Sequence, residues 1–254
     1  MEGSLPVKHK IPFPFPENTA RLSRAYRLHQ MLLLLYDFSF YFCTFLKAKI
    51  RIKNTSEKDI CPGPYMLRTN EAFLKYLEQL YVNQERKEDI VIKSFSKGQK
   101  IFTQNEAASK VMLIREGITK CYFVEENEKE YIMEFLGKGE IIGEIEFIKN
   151  INCLCSIEAM TNVSVYAISI PYLRSVIKND LTLNNLLLDV FAERIVNTST
   201  RASYQQLYTT EHNLAKLLKL QSKQEIEISK EDMAAYLGVT IRSLNRALKS
   251  LNNK

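Results

Sequence analysis

Between Asp89 and Ser169 the chain breaks into eight short apolar runs: IVIKSF, KIFTQ, KVMLIREG, ITKCYFV, YIMEFL, EIIGEI, CLCSIEAM and VSVYAIS. Each is too short for an ordinary helix, and each is rich in the β-branched and aromatic side chains that suit a pleated, half-buried surface. Gly98, Gly117, Gly139, Gly143 and the charged segment EENEK punctuate them. Glycine reaches positive φ at little steric cost, so it marks tight turns. Short strands at regular spacing with turn signals predict an antiparallel sandwich or barrel. In this reading IIGEIEFI is a glycine–acid turn between two strands.

Helical patterns flank the strands. Upstream, MLRTNEAFLKYLEQLY reads as a helix opening at Met66, with Phe73, Leu74, Leu77 and Leu80 at helical spacing. Downstream, Pro171 stands where the first turn of a helix tolerates proline, and YLRSVIKND follows as a short helix. A long helix then runs over 181–208. Leu183, Leu187, Val190, Phe191 and Ile195 form its apolar stripe, with Asp189, Glu193 and Arg194 off it. That stripe suits pairing with a second copy of the chain, or packing against the barrel, or both.

The last segment, EIEISKEDMAAYLGVTIRSLNRALKSL, carries the most specific pattern. Ser229 with Asp232 three residues on is an N-cap signal with an acidic first turn. Met233, Ala234 and Leu237 form the inner face of a short helix, and Gly238 ends it. Val239 is the apolar turn residue. Thr240 caps a second helix whose inner face is Leu244, Ala247, Leu248 and Leu251. This is a helix-turn-helix, whose second helix fits the major groove of double-stranded DNA. Thr240, Ile241, Arg242, Ser243, Asn245, Arg246 and Lys249 are left to face it. Arginine can pair bidentately with guanine and asparagine with adenine. Over residues 229–254 five Lys/Arg stand against two Asp/Glu, a local excess that suits phosphates.

Charge elsewhere argues nothing about nucleic acid. The net +6 is concentrated in residues 1–65, with ten Lys/Arg and five Asp/Glu, and the remaining chain is nearly balanced. Residues 1–65 form a poorly assigned extension. KIPFPFPENTA is broken by proline. MLLLLYDFSFYFCTFL is shorter than the ~20 apolar residues that span a bilayer. It reads as an interfacial anchor, as a helix packed on the body, or as an upstream reading-frame extension with Met66 as the start. The third reading is favoured, and the protein is expected to be cytoplasmic and not bound to a membrane. The five cysteines (Cys43, Cys61, Cys121, Cys153, Cys155) show no disulfide framework, so reduced thiols are expected. His9, His29 and His212 are too scattered for a histidine metal site. No nucleophile–base pair, histidine cluster or phosphate loop points to an enzyme.

Strands, a long helix and a helix-turn-helix in this order resemble the Crp/Fnr family of bacterial transcription regulators over residues 68–251. GQKIFTQNEAASKVMLIREGITKCYF, FLGKGEIIGEIEFI and KEDMAAYLGVTIRSLNRALKSL carry the resemblance. IIGEIEFI with a cysteine-bearing strand after it is similar to the YeiL-like subgroup. The resemblance implies an α+β chain with a cyclic-nucleotide-binding-like double-stranded β-roll, a long dimerisation helix and a C-terminal winged helix-turn-helix. It also implies a homodimer on a two-fold operator, and RNA polymerase as a partner if the protein activates. The implied division is 66–180 for the β-roll sensor, 181–208 for the dimerisation helix and 209–254 for DNA binding. Ile241, Arg242 and Arg246 fall at the family's DNA-contacting positions. Ile241 and Arg242 depart from the residues of the cyclic-AMP receptor, so a different operator is expected. The family continues into a β-hairpin wing where this chain stops at LNNK, so the wing is expected to be dispensed with or lost by truncation or frameshift, which leaves a second reading: a ligand-binding or interaction module that has lost DNA binding.

The same resemblance places an effector pocket at Gly143, Glu144, Cys153 and Cys155. The family's phosphate-binding arginine falls near Cys153 or Leu154, and no Lys or Arg stands from Asn150 to Thr161. An uncompensated buried phosphate is costly, which argues against cyclic AMP. Gly143 and Glu144 then read as a turn glycine and a solvated or capping acid. Cys153 and Cys155, one residue apart in a strand, would share a face. That arrangement admits redox or metal sensing. An iron–sulfur cluster, which usually wants four cysteine ligands, is not favoured, and core packing is the commoner role of such cysteines. The effector itself stays unassigned.

Overall fold

The computed structural model describes residues 66–253, so the expectations for residues 1–65, with Cys43 and Cys61, fall outside the described residues. The chain begins with β1 (Leu67–Arg68) and α1 (Glu71–Asn83). The strands β2 (Ile90–Phe95), β3 (Lys100–Phe102), β4 (Lys110–Glu116), β5 (Thr119–Val124), β6 (Glu130–Leu136) and β7 (Ile141–Ile142) follow. A short helix α2 (Glu144–Lys149) precedes β8 (Ser156–Ala159) and β9 (Val163–Ser169). The C-terminal half is helical: α3 (Ile170–Asn179), α4 (Leu181–Leu207), α5 (Thr210–Gln224), α6 (Lys230–Leu237) and α7 (Ile241–Asn252).

The strands form two sheets, in the orders β1-β6-β5-β8-β3 and β2-β9-β4-β7. Their pairing is antiparallel except for β1, which lies parallel to β6. Continuous apolar runs such as VMLI arise because both sheet faces are covered. On β4, Met112 and Ile114 join Leu136, Ile142, Val165 and Ala167 in one core, while Val111 and Leu113 face α1, α3 and α4. Successive strand residues point to opposite faces, so one strand serves two cores. The same holds for β5, where Cys121 belongs to the first core and Tyr122 to a third, shared with Tyr236 on α6.

Three readings of the sequence are corrected. Met66 does not open a helix: Leu67 and Arg68 form β1, and Asn70 caps α1 by accepting from the Phe73 amide at 2.9 Å. EIIGEI is not a strand throughout. Only Ile141–Ile142 is extended, and Gly143, at φ 85°, hands the chain to α2. Two acids in the first turn of that helix favour its N-terminal dipole. Cys153 and Cys155 do not alternate in a strand, because β8 begins only at Ser156 and both lie in the loop before it.

The apolar stripe of the long helix also divides. Leu183, Leu187 and Val190 are buried in the core with α1 and α3, and Phe191 packs against it. Ile195, by contrast, is 64% exposed, with Leu188 at 65% and Leu181 at 77%. Leu181, Leu188 and Ile195 recur every seventh residue, and Asn185 and Ala192 between them, with Ser199 and Ala202 beyond, are also exposed, which makes a second seam that this chain leaves open.

The start of the described chain is held by the close of α5. Gln224, at the close of α5, accepts from the amides of Met66 and Leu67 at 3.1 and 3.0 Å and donates to the Leu67 carbonyl at 2.7 Å. The turn before β7 is equally tight. Gly139 has φ 83°, and a Cβ there would lie 1.8 Å from the Asn70 carbonyl oxygen. Gly98 has φ 81° with open space around it. Gly98→Ala should therefore cost only the left-handed penalty of about 1–2 kcal/mol. Gly139→Ala adds a backbone clash and should cost on the order of 4 kcal/mol or more. Urea unfolding of the two variants checks the difference.

Candidate functional site

Two places carry chemistry. The first is the C-terminal trio α5–α7. Ser229 caps α6 by accepting from the Asp232 amide at 3.0 Å, and Gly238 closes it in the left-handed region at φ 67°. After Val239, Thr240 caps α7 by accepting from the Ser243 amide at 3.2 Å. Leu214, Ala234, Leu244 and Ala247 form the core of the trio, with Met233, Leu237, Leu248 and Leu251 packed on it. Thr240, Ile241, Arg242, Asn245, Arg246 and Lys249 are exposed, and Ser243 is half-buried beside its cap. The helix, three-residue turn and helix read from the sequence are thus formed, with Ile241, Arg242, Asn245, Arg246 and Lys249 on the open face of α7.

This trio does not hang free. Tyr236 of α6 stacks on Phe135 of β6, with ring centroids 5.5 Å apart. Asp232 accepts from Lys120 of β5 at 3.0 Å, and Glu158 lies 3.7 Å from the same ammonium. Burial pulls the Lys120 pKa down, but Asp232, Glu158 and Glu130 outweigh it and hold it above its ordinary value. Arg201 of α4 stands over Tyr131 and Tyr236, 4.9 and 4.5 Å from the ring centres. A cleft of about 700 Å³ remains between the β5–β6 hairpin and the start of α7, lined by Lys120, Lys129, Tyr131, Asp232 and Ile241.

The second place is the interior of the roll beside α2. Glu144 is 2% exposed and accepts from Arg194, which reaches in from α4. The same guanidinium donates to the Ile141 carbonyl at 2.7 Å and lies 3.6 Å from Glu134 and 3.7 Å from Glu140. Arg68 of β1, itself buried, pairs with Glu134 at 3.3 Å and Glu140 at 3.1 Å. Two arginines and three carboxylates therefore share one buried cluster. Burial pushes the carboxyls of Glu140 and Glu144 above their ordinary range, against the pull of the arginines. Burial would lower Arg194, but Glu144, Glu134 and Glu140 more than reverse that. The space left is about 50 Å³, lined by Cys121, Glu134, Gly143, Glu144, Cys155 and Arg194 among others.

Comparison with known proteins gives this architecture its place. Residues 92–180 match the cyclic nucleotide-binding domain family. Among curated proteins no sequence match is found. The c-di-GMP-responsive global regulator CLP of Xanthomonas campestris has a similar structure, with a TM-score of 0.59 at 17% identity over 65% of this chain and 88% of that one. A putative transcriptional regulator of the Crp/Fnr family from Eubacterium rectale gives 0.59 at 17% identity, over 68% of this chain and 86% of its own. FixK2 of Bradyrhizobium japonicum gives 0.56 at 20% identity, over 65% and 85%. The chain has the fold of the Crp/Fnr transcription regulators.

Within the Crp/Fnr fold, the residues expected at the effector pocket do not all meet. Gly143, Glu144 and Cys155 line the cavity and Cys153 does not. Cys153 is buried in the inter-sheet core, where burial pushes its thiol up to about 11. Glu144 is neither solvated nor a mere cap: it is one half of a buried ion pair. A cation does reach the cavity from elsewhere in the chain, as the partner of Glu144: Arg194, a residue that helical periodicity places on the outer side of α4. Cys121, which the sequence reading left unassigned, also lines the cavity, and its sulfur lies 2.7 Å from that of Cys155. Among the described residues no group of three or more Cys, His, Asp or Glu is arranged to hold a metal ion.

Arg194 offsets the excess of buried carboxylate, so removing it leaves charge without a partner. Arg194→Met should lower stability by about 3–5 kcal/mol near neutral pH. A carboxyl whose folded pKa is raised contributes stability that is present below the unfolded value and is lost as pH rises through the folded one. Glu140 and Glu144 would be raised further without Arg194. The deficit of the variant should therefore shrink on acidification toward the ordinary carboxyl range, as urea unfolding across that interval will show.

Proposed function

We propose that the chain is a DNA-binding transcription regulator of the Crp/Fnr type, with the β-roll over 66–180, the dimerisation helix over 181–208 and the DNA-binding segment over 209–254. The observation that carries the reading is the open face of α7. Ile241, Arg242, Asn245, Arg246 and Lys249 point away from a core of Leu244 and Ala247, so cationic and amide groups are free to enter a major groove. DNA contact through Thr240 and Ser243 is confined to the edge of that face, since each is engaged in the cap.

The roll does not take cyclic AMP in this reading. Ligand pockets are commonly about 300–1,000 Å³. The space beside Glu144 is about 50 Å³, and Arg194 sits against the acid that a ligand would need. The protein's own guanidinium supports the fold where an effector would otherwise bind. The functional unit is a homodimer joined through the exposed seam of α4, working in the cytoplasm, with RNA polymerase as the further partner of an activator. Among the described residues no helix is long and apolar enough to cross a membrane.

Selection of bound genomic fragments by the purified chain tests the reading. Salt-sensitive, sequence-dependent binding is expected, and its absence would refute DNA recognition. Arg246→Ala should relax specificity by about 1–3 kcal/mol at one base position rather than weaken all sites alike. Ile195→Asp should convert the dimer to a monomer in sedimentation while leaving the helical circular dichroism intact, because Ile195 is exposed on the single chain.

A further inference from the structure

Cys121 and Cys155 stand apart from the other thiols. Cys121 is on β5 and is 7% exposed, whereas Cys155 is half-buried in the loop before β8. The register pairs Cys121 with Ile157 and Tyr122 with Ser156, which makes Cys155 the diagonal neighbour of Cys121 on the inner face. Their sulfurs are 2.7 Å apart, in direct contact but longer than the about 2.05 Å of a covalent bond, so both are free thiols. The loop is held at that distance from both sides. Glu146 of α2 accepts from the Leu154 amide at 2.9 Å, and the Cys153 amide donates to the Glu106 carbonyl at 2.8 Å. Both cysteines open onto the small cavity that also holds Arg194.

The opposite face of β5 is the one that meets the helix-turn-helix. Lys120 binds Asp232, and Tyr122 packs in the core that contains Tyr236. Cys121 thus sits between the two β5 residues that dock α6, and the strand carries a register irregularity at Cys121/Tyr122. A bulge of this kind locally disrupts the ladder. Movement of the Cys121 backbone toward Cys155 would be carried directly into Lys120 and Tyr122.

We propose that Cys121 and Cys155 form a peroxide-reactive dithiol whose conversion to a disulfide is transmitted through β5 to the docking of α6. The half-exposed Cys155 sulfur attacks a hydroperoxide, giving a sulfenic acid and releasing water or the corresponding alcohol. The Cys121 sulfur then displaces hydroxide from it, forming the S–S bond, and the hydroxide leaves with the Cys121 thiol proton as water. Two thiols are oxidised by two electrons and the peroxide O–O bond is reduced. A small dithiol reverses the step by exchange. The order of attack follows from position: Cys121 is the more deeply buried, and its hydrogen bond to Cys155, together with burial, raises its thiol well above the ordinary value.

The test uses the full chain purified without oxygen, treated with hydrogen peroxide, alkylated and digested with trypsin without reduction. Cleavage releases residues 121–129 and 150–174 as separate peptides. The expected product is these two joined, lighter by two hydrogens than their sum and separated again by dithiothreitol. Cys153→Ser should keep the link. Cys121→Ser should stop at a sulfenic acid on Cys155 that dimedone traps. A Cys153–Cys155 link, a link between chains, or an unchanged Cys155 would overturn the dithiol. The coupling to α6 is read by amide exchange over 229–237, which should rise on oxidation in the native chain and stay constant in Cys121→Ser. Unchanged exchange in an oxidised chain would overturn the transmission. The consequence for gene control rests on the DNA-binding reading, but neither readout requires DNA, so the failure of one is distinguishable from the failure of the other.

Discussion

The position of Arg194 orders much of the rest. It projects from the long helix into the roll, where Glu134, Glu140 and Glu144 converge. Taken alone, three carboxylates in a nearly dry interior would be expelled, protonated or hydrated. With Arg194 and Arg68 among them they become a fastening between β1, β6, α2 and α4. The helix is thereby set against the sheets in rotation as well as in distance. That rotation buries Leu183, Leu187 and Val190 and turns Leu188 and Ile195 outward. The exposed seam is therefore a product of a buried ion cluster on the same helix.

A similar economy appears in the strands. β4 and β5 have apolar neighbours on both faces, so each couples two layers. On β5 the inward layer is the small cavity with its thiols and the outward layer is the helix-turn-helix. A single strand thus lies between the thiol-lined cavity and the C-terminal helices. The Lys120–Asp232 pair and the Tyr236–Phe135 stack make that connection short.

Elements governed by local chemistry were legible in the sequence. Caps at Ser229 and Thr240, the glycine stop at Gly238 and the short β-rich runs from Ile90 to Ser169 report their structure through adjacent residues. The start of α4 also follows local chemistry, since Asp180 caps it by accepting from the Thr182 amide at 2.7 Å. The errors fell where distant partners decide. Leu67 and Arg68 open a segment with a helical pattern, yet pairing with β6, beside the amides that Gln224 holds, makes them extended. EIEFIK has a strand-like composition, but Gly143 in the left-handed region and two acids in the first turn start a helix. Arg194 looked like one more solvated charge because nothing within its own helix reveals a carboxylate cluster formed by β6, α2 and the turn before β7. For the same reason Cys155 could be set beside Cys153, its neighbour in sequence, but not beside Cys121, its neighbour in space.

The clasp formed by Gln224 adds a mechanical consequence. One side chain at the end of α5 satisfies three backbone groups of Met66 and Leu67, next to the parallel strand that closes the edge of the first sheet. Flexing of the C-terminal helices cannot stretch these bonds gradually, because hydrogen bonds weaken steeply outside a narrow range of distance and angle. A swing of the helix-turn-helix must either pull β1 along as a lever arm or release all three bonds together. Any reorientation of the C-terminal helices against β1 is on these grounds a snap between discrete poses.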